Sequence, residues 1–222
     1  MPADTPARPD TAGAAATGGG ERPQLYLVTP PAFDPDHFLP RLEAVLAALP
    51  VACLRLALAS RDAQVLTRAG DALRALAHAR DIPVVVERHV ELARQLGLDG
   101  VHLPDGARGV RKARAALGAD AIVGVFCGDS RHDGLSAGEA GADYVAFGPV
   151  GPNLLGDGGV APQALFAWWS EMIELPVVAE GALSPELVAA LAPVVDFLAV
   201  GEEIWTADDP VAALRSLTEP MG

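Results

Sequence analysis

Lysine is almost missing from this chain. It has one, Lys112, and its 16 basic residues face 29 acidic ones, for a net charge of −13 at neutral pH. Nucleic acids and anionic membranes are bound by a basic face that neutralises phosphates, so this balance opposes both partners. It also sets an unfavourable long-range field against polyphosphate ligands unless a local cluster reverses it. Cysteine is nearly as scarce. Cys53 and Cys127 are too few and too far apart for a disulfide framework, and there is no C-x-x-C pair, so a reducing cytoplasm is the expected compartment. No run approaches the ~20 apolar residues that a bilayer span requires. The first 23 residues, MPADTPARPDTAGAAATGGGERP, lack the apolar core of a signal peptide and have the Pro, Gly, Ala and Thr content of a disordered tail.

One further absence is local. YVAFGPVGPNLLGDGG, from Tyr144 to Gly159, begins as a buried strand and opens into a glycine-rich loop of the phosphate-receiving kind, yet holds no Lys, Arg, Ser or Thr. Half of the 222 residues are hydrophobic, enough to bury one sizeable core, and residues 24–219 read as one domain.

Short apolar runs alternate with segments of helical period. Candidate strands are Leu25–Thr29, Val51–Leu56, Ile82–Val86, Gly100–Leu103, Ala121–Val125, Asp143–Phe147, Pro176–Ala179 and Asp196–Val200. Between them lie Ala- and Leu-rich stretches such as Phe38–Leu49, Ala63–Ala79 and Pro162–Ile173, with apolar residues three and four apart. An internal repeat supports this division: GLDGVHL, GADAIVGV, GADYVAF and VVDFLAV each put an aspartate, Asp99, Asp120, Asp143 or Asp196, just before a strand. Uniform alternation implies parallel strands with right-handed crossovers, and eight units imply a (β/α)8 TIM barrel. An open doubly wound sheet is the competing architecture, disfavoured because no G-x-G-x-x-G follows the first strand.

In a barrel the chemistry sits where the strands end. Those ends supply Arg55, then Glu87-Arg88-His89, then His102 and Asp105, then Cys127 and Asp129, then Glu180, then Glu202-Glu203. The set is acidic for a phosphate site. Carboxylates after strands seven and eight would compete with phosphate for backbone N–H donors and repel it. Arg55 is either a ligand-binding group or half of an ion pair with Glu87. His102 reads as a hydrogen-bonded core histidine or, less simply, a catalyst. Cys53 and Cys127 read as small buried hydrophobes, and Glu202-Glu203 could equally complement a helix dipole. Of the adjacent Trp168 and Trp169, at most one can face the core fully, and the other could mark a homo-oligomer interface.

LYLVT at Leu25–Thr29, LR at Leu54-Arg55, VELARQLGLDGVHL at Val90–Leu103, IVGV at Ile122–Val125, AGADYVAFGPV at Ala140–Val150 and LPVVAEGAL at Leu175–Leu183 together carry a family pattern. The chain resembles the thiamine phosphate synthase family, which includes the related thiazole tautomerases. That resemblance implies a barrel joining a pyrimidine diphosphate to a thiazole phosphate, with Mg²⁺ on the diphosphate. Against the family's pattern, Arg55 survives as a diphosphate-binding arginine. A Gln and a Lys become Cys53 and Ala57, Asn-Asp-Arg becomes Glu87-Arg88-His89, and a further metal-site Asp becomes Ala107, with Asp105 nearby. Ser-Thr-His becomes Phe126-Cys127-Gly128, Thr-x-Thr-Lys becomes Asn153–Gly156, and the last phosphate loops carry Glu180, Ala182 and Glu202. Taken at face value, these substitutions lead to the expectation of a barrel that has lost the parent reaction, is non-catalytic or repurposed, binds an unidentified small molecule at its mouth and needs no cofactor. The alternative expectation is a working thiamine phosphate synthase that uses Mg²⁺ and the substituted residues.

Overall fold

A computed structural model describes residues 22–152 and 159–221. Eight parallel strands close into a barrel in sequence order, the first pairing with the last. The strands are β1 Gln24–Val28, β2 Cys53–Leu56, β3 Val84–Glu87, β4 Gly100–Leu103, β5 Ile122–Phe126, β6 Tyr144–Phe147, β7 Val177–Glu180 and β8 Phe197–Val200. Helices α1 Pro35–Ala48, α2 Ala63–His78, α3 Val90–Leu96, α4 Val110–Leu117, α5 Arg131–Glu139, α6 Gln163–Met172, α7 Pro185–Leu191, α8 Glu202–Trp205 and α9 Pro210–Thr218 follow their strands around the outside. The (β/α)8 barrel expected from the alternation is the architecture found. The tail expected over the first 23 residues lies, but for Arg22 and Pro23, outside the described residues.

The helices start where a side chain can satisfy their orphan N–H groups. Asp62 accepts from Gln64 and Val65, Ser184 from Leu187, and Asp209 from Val211 and Ala212. Helix α5 escapes the periodicity because Gly134 and Gly138 interrupt its apolar face. A Cβ at Gly134 would lie 2.7 Å from Trp169, so the glycine lets α5 close onto the Trp169 and Phe147 rings. Trp169 is accordingly buried, whereas Trp168 lies under the Arg131 guanidinium, 4.6 Å from its ring centre.

Strand β3 begins two residues later than the apolar run suggests. The Ile82 N–H is spent on the Ala77 carbonyl at the end of α2, and Pro83 has no N–H to give.

The repeated aspartates have a mechanical role. The Asp99, Asp143 and Asp196 carboxylates accept the backbone N–H of Val84, Val123 and Val177, at 2.7, 2.6 and 2.7 Å. In the other direction, each aspartate's own N–H donates to the carbonyl of that same valine. Each therefore clamps its strand's foot to the strand before it: β4 to β3, β6 to β5, β8 to β7. Asp143 also binds Arg114 at 2.6 Å, whose guanidinium in turn donates to the carbonyls of Ala119 and Gly141 and to that of Ala121.

Asp143→Ala would strand the Val123 N–H and is expected to cost about 2 kcal/mol, whereas exposed Asp120→Ala should stay within about 0.5 kcal/mol. Urea midpoints for the two variants measure this; equal midpoints would show that the clamp contributes nothing.

Candidate active site

Alternation along the strands separates two apolar layers. Leu54 and Leu56 point outward to the helices, while Tyr26, Cys53, Val85, Tyr144, Ala146, Val178 and Ala199 fill the barrel. Arg55 follows Cys53 on the inner face and is buried at 7% exposure. Its Nη1 donates to Glu180 Oε2 at 2.9 Å, across the lumen from β2 to β7. The expected partner, Glu87, does not pair with it. Register sets Arg55 beside Val85, and Glu87, one pleat further along, lies 3.9 Å from Arg88 instead. Burial opposes the charge on Arg55, but Glu180, helped by the Tyr26 and Tyr144 hydroxyls, outweighs it and raises the guanidinium's pKa. The Arg55 Nε is buried with no partner, one donor still to be used.

Beside Arg55 lies a neutral polar chain. The Tyr26 and Tyr144 hydroxyls are 2.7 Å apart, and the Tyr144 hydroxyl shares a further hydrogen bond with His102 Nδ1 at 2.9 Å. Gly124 makes room for it, because a Cβ there would overlap the Tyr144 ring at 1.9 Å. Burial, and then the charge of Arg55, push His102 well below its ordinary pKa, so the imidazole is neutral. Burial pushes the Cys53 and Cys127 thiols up to about 12, which leaves neither of them nucleophilic at neutral pH.

The remaining candidates ring the opening. Arg88, exposed and left-handed at φ 66°, contacts Asp105 at 3.1 Å as well as Glu87. His89 precedes α3 and its side chain caps nothing. Asp129 lies against Gly159, where a Cβ would come within 2.5 Å of its carboxylate. Glu202 lines a cavity of about 350 Å³ with Pro30, Phe33, His37 and Trp205. The residues 153–158, including Asp157 of the glycine-rich loop, lie outside the described residues. No group of three or more His, Cys, Asp or Glu side chains able to hold a metal occurs among the described residues.

The residue that takes the backbone donors is Glu203. Its Oε1 accepts from the Leu183 N–H at 3.1 Å and its Oε2 from the Gly201 N–H at 2.8 Å, joining the loops after β7 and β8. The doubled glutamate was the available signal. Adjacency alone could not say which of the two turns inward.

A sequence model of the family described as "Thiamine monophosphate synthase" matches residues 25–204, from β1 to the middle of α8. The chain belongs to this family. It is 43% identical to the thiamine-phosphate synthase of Rhodospirillum centenum, over 89% of this chain and 97% of that one. It is 42% identical to the same-named protein of Hyphomonas neptunium, over 88% and 92%. The fold superposes on thiamine phosphate pyrophosphorylase from Pyrococcus furiosus with a TM-score of 0.77 and 23% identity, covering 89% and 95% of the two chains.

These relatives overturn the expectation of a non-catalytic or repurposed barrel. Proteins this similar over almost their whole length are named thiamine-phosphate synthases, and the chain belongs with them although its mouth residues depart from the expected pattern.

His102 carries a testable signature. Its imidazole is neutral when folded and protonates more readily when unfolded, so stability is expected to fall as the pH drops below about 6.5, by up to about 1.4 kcal/mol per pH unit. Denaturant titrations between pH 7 and 5 should show His102→Asn with a flatter slope than wild type. Parallel slopes would refute the assignment.

Proposed function

We propose that the chain is a working thiamine-phosphate synthase, joining a pyrimidine carried as its diphosphate to a thiazole phosphate. The carrying observation is the near-complete coverage of relatives bearing that name, with Arg55 seated at the mouth. In this reaction the thiazole nitrogen forms a C–N bond to the pyrimidine methylene while the bond from that carbon to the diphosphate oxygen breaks. The electron pair leaves with the diphosphate, and positive charge has to meet it.

Arg55 supplies that charge from inside the barrel, with its free Nε and with the donors now given to Glu180. Arg88 supplies it from the rim. Neutral His102 and the two tyrosine hydroxyls give the neighbouring floor uncharged hydrogen-bonding groups that suit a nitrogen heterocycle. Glu87 and Asp105 converge on the single Arg88 guanidinium and no third carboxylate joins them among the described residues. Glu87 and Asp105 are the carboxylates that would hold Mg²⁺ delivered with the substrate, since that ion is held by one or two carboxylates plus phosphate oxygens, and they would do so once Arg88 has turned from them to the diphosphate. When bound, the ion would neutralise the departing diphosphate. The two unpaired thiols and the biosynthetic role of the relatives support placing the enzyme in the cytoplasm.

Purified protein given both substrates and Mg²⁺ is expected to release thiamine phosphate and pyrophosphate. Arg55→Ala should lower kcat/KM by at least about 10²-fold, as lost leaving-group stabilisation does. Absence of product from the folded wild-type enzyme would overturn the proposal.

A further inference from the structure

We propose that Glu203 is an internal anion occupying the phosphate cup of this barrel, which the phosphate of the thiazole substrate has to displace. In (β/α)8 barrels, phosphate is commonly received by backbone N–H groups of the loops after the seventh and eighth strands. Here two of those N–H groups, Leu183 and Gly201, point at a single carboxylate of the chain itself. The preceding Gly181 and Ala182 both have positive φ, 86° and 56°, and this turn delivers the Leu183 N–H to the Glu203 carboxylate. Ala182 adopts it without being glycine, so the surrounding fold imposes the conformation.

The second anion position of the mouth is filled in the same way, since Glu180 holds Arg55. Two places among the described residues where this mouth could grip a phosphate are therefore occupied by built-in carboxylates. One negative charge can share these donors with no second one at contact distance, because like charges a few ångströms apart in a poorly solvated pocket repel strongly. Glu203 thus sets which ligands enter: a phosphate ester must offer enough other contacts to expel the side chain, and free inorganic phosphate cannot. The inference rests on the proposed synthase reaction for the identity of the ester, but not for the occupancy of the cup.

Inorganic phosphate is titrated calorimetrically into the full chain and its Glu203→Ala and Glu203→Gln variants, with thermal melts alongside, and KM and kcat for thiazole phosphate are measured on each. Glu203→Ala is expected to bind inorganic phosphate at least about tenfold more tightly than wild type and to show a KM for thiazole phosphate lowered by a similar factor. Glu203→Gln, which keeps the shape and removes the charge, should gain several-fold, and it decides the matter if Glu203→Ala does not fold. A residue that only staples the two loops would lower the melting temperature and leave phosphate affinity unchanged, and that result overturns the proposal. Loss of turnover in every form, wild type included, would sink the synthase reading while the phosphate titration still judges the cup.

Discussion

A guanidinium inside a barrel needs an anion, and the mouth is organised around that need. Arg55 is too buried to be solvated, so an unpaired charge there would cost several kcal/mol. Glu180, at the end of β7, answers it from across the lumen. This pairing fixes what can surround it. The groups next to Arg55 are tyrosine hydroxyls and a histidine held neutral, and further carboxylates stay at the rim, with Arg88 or with backbone donors. A chain of net charge −13 thus keeps the cations of its mouth in place with its own acids, and any anionic ligand there would exchange one anion for another.

Much of the fold was legible because its signals are local. Alternation inside each strand correctly put Cys53 and Arg55 on one face, and three of the four recurring aspartates, all but Asp120, marked real joints between strands. Failures arose where the answer depends on distance across the barrel. Nothing in the order of residues says that Arg55 reaches Glu180 in place of Glu87, because the contact crosses the lumen and ignores strand neighbours. Glu202 and Glu203 are chemically identical neighbours, and only the turn after Gly201 decides which meets the Leu183 N–H. Helix α5 was hidden for a related reason, since Gly134 is explained by the Trp169 ring from another helix.

The functional misreading has its own cause. Single lost side chains mislead because charge and hydrogen bonding need not come from fixed positions. Overall likeness outweighs such single positions, since relatives named as synthases match the chain at 42–43% identity over almost their whole length. Arg88 illustrates how: it stands in the segment where a metal-binding carboxylate was expected, yet it gathers Glu87 and Asp105 about itself, so acidic oxygens remain at that corner of the mouth.

The aspartate clamps have an architectural consequence. They fasten β3 to β4, β5 to β6 and β7 to β8, while no aspartate side chain fastens β4 to β5 or β6 to β7 among the described residues. Six strands are therefore fastened in three pairs, while β1 and β2 carry no such clamp among the described residues. Arg55, on β2, and Glu180, on β7, tie an unclamped strand to a clamped pair across the lumen. Exchanging that ion pair for a ligand would release β2 from this cross-lumen tie without unfastening any clamped strand foot, leaving the mouth freer to flex than the floor beneath it.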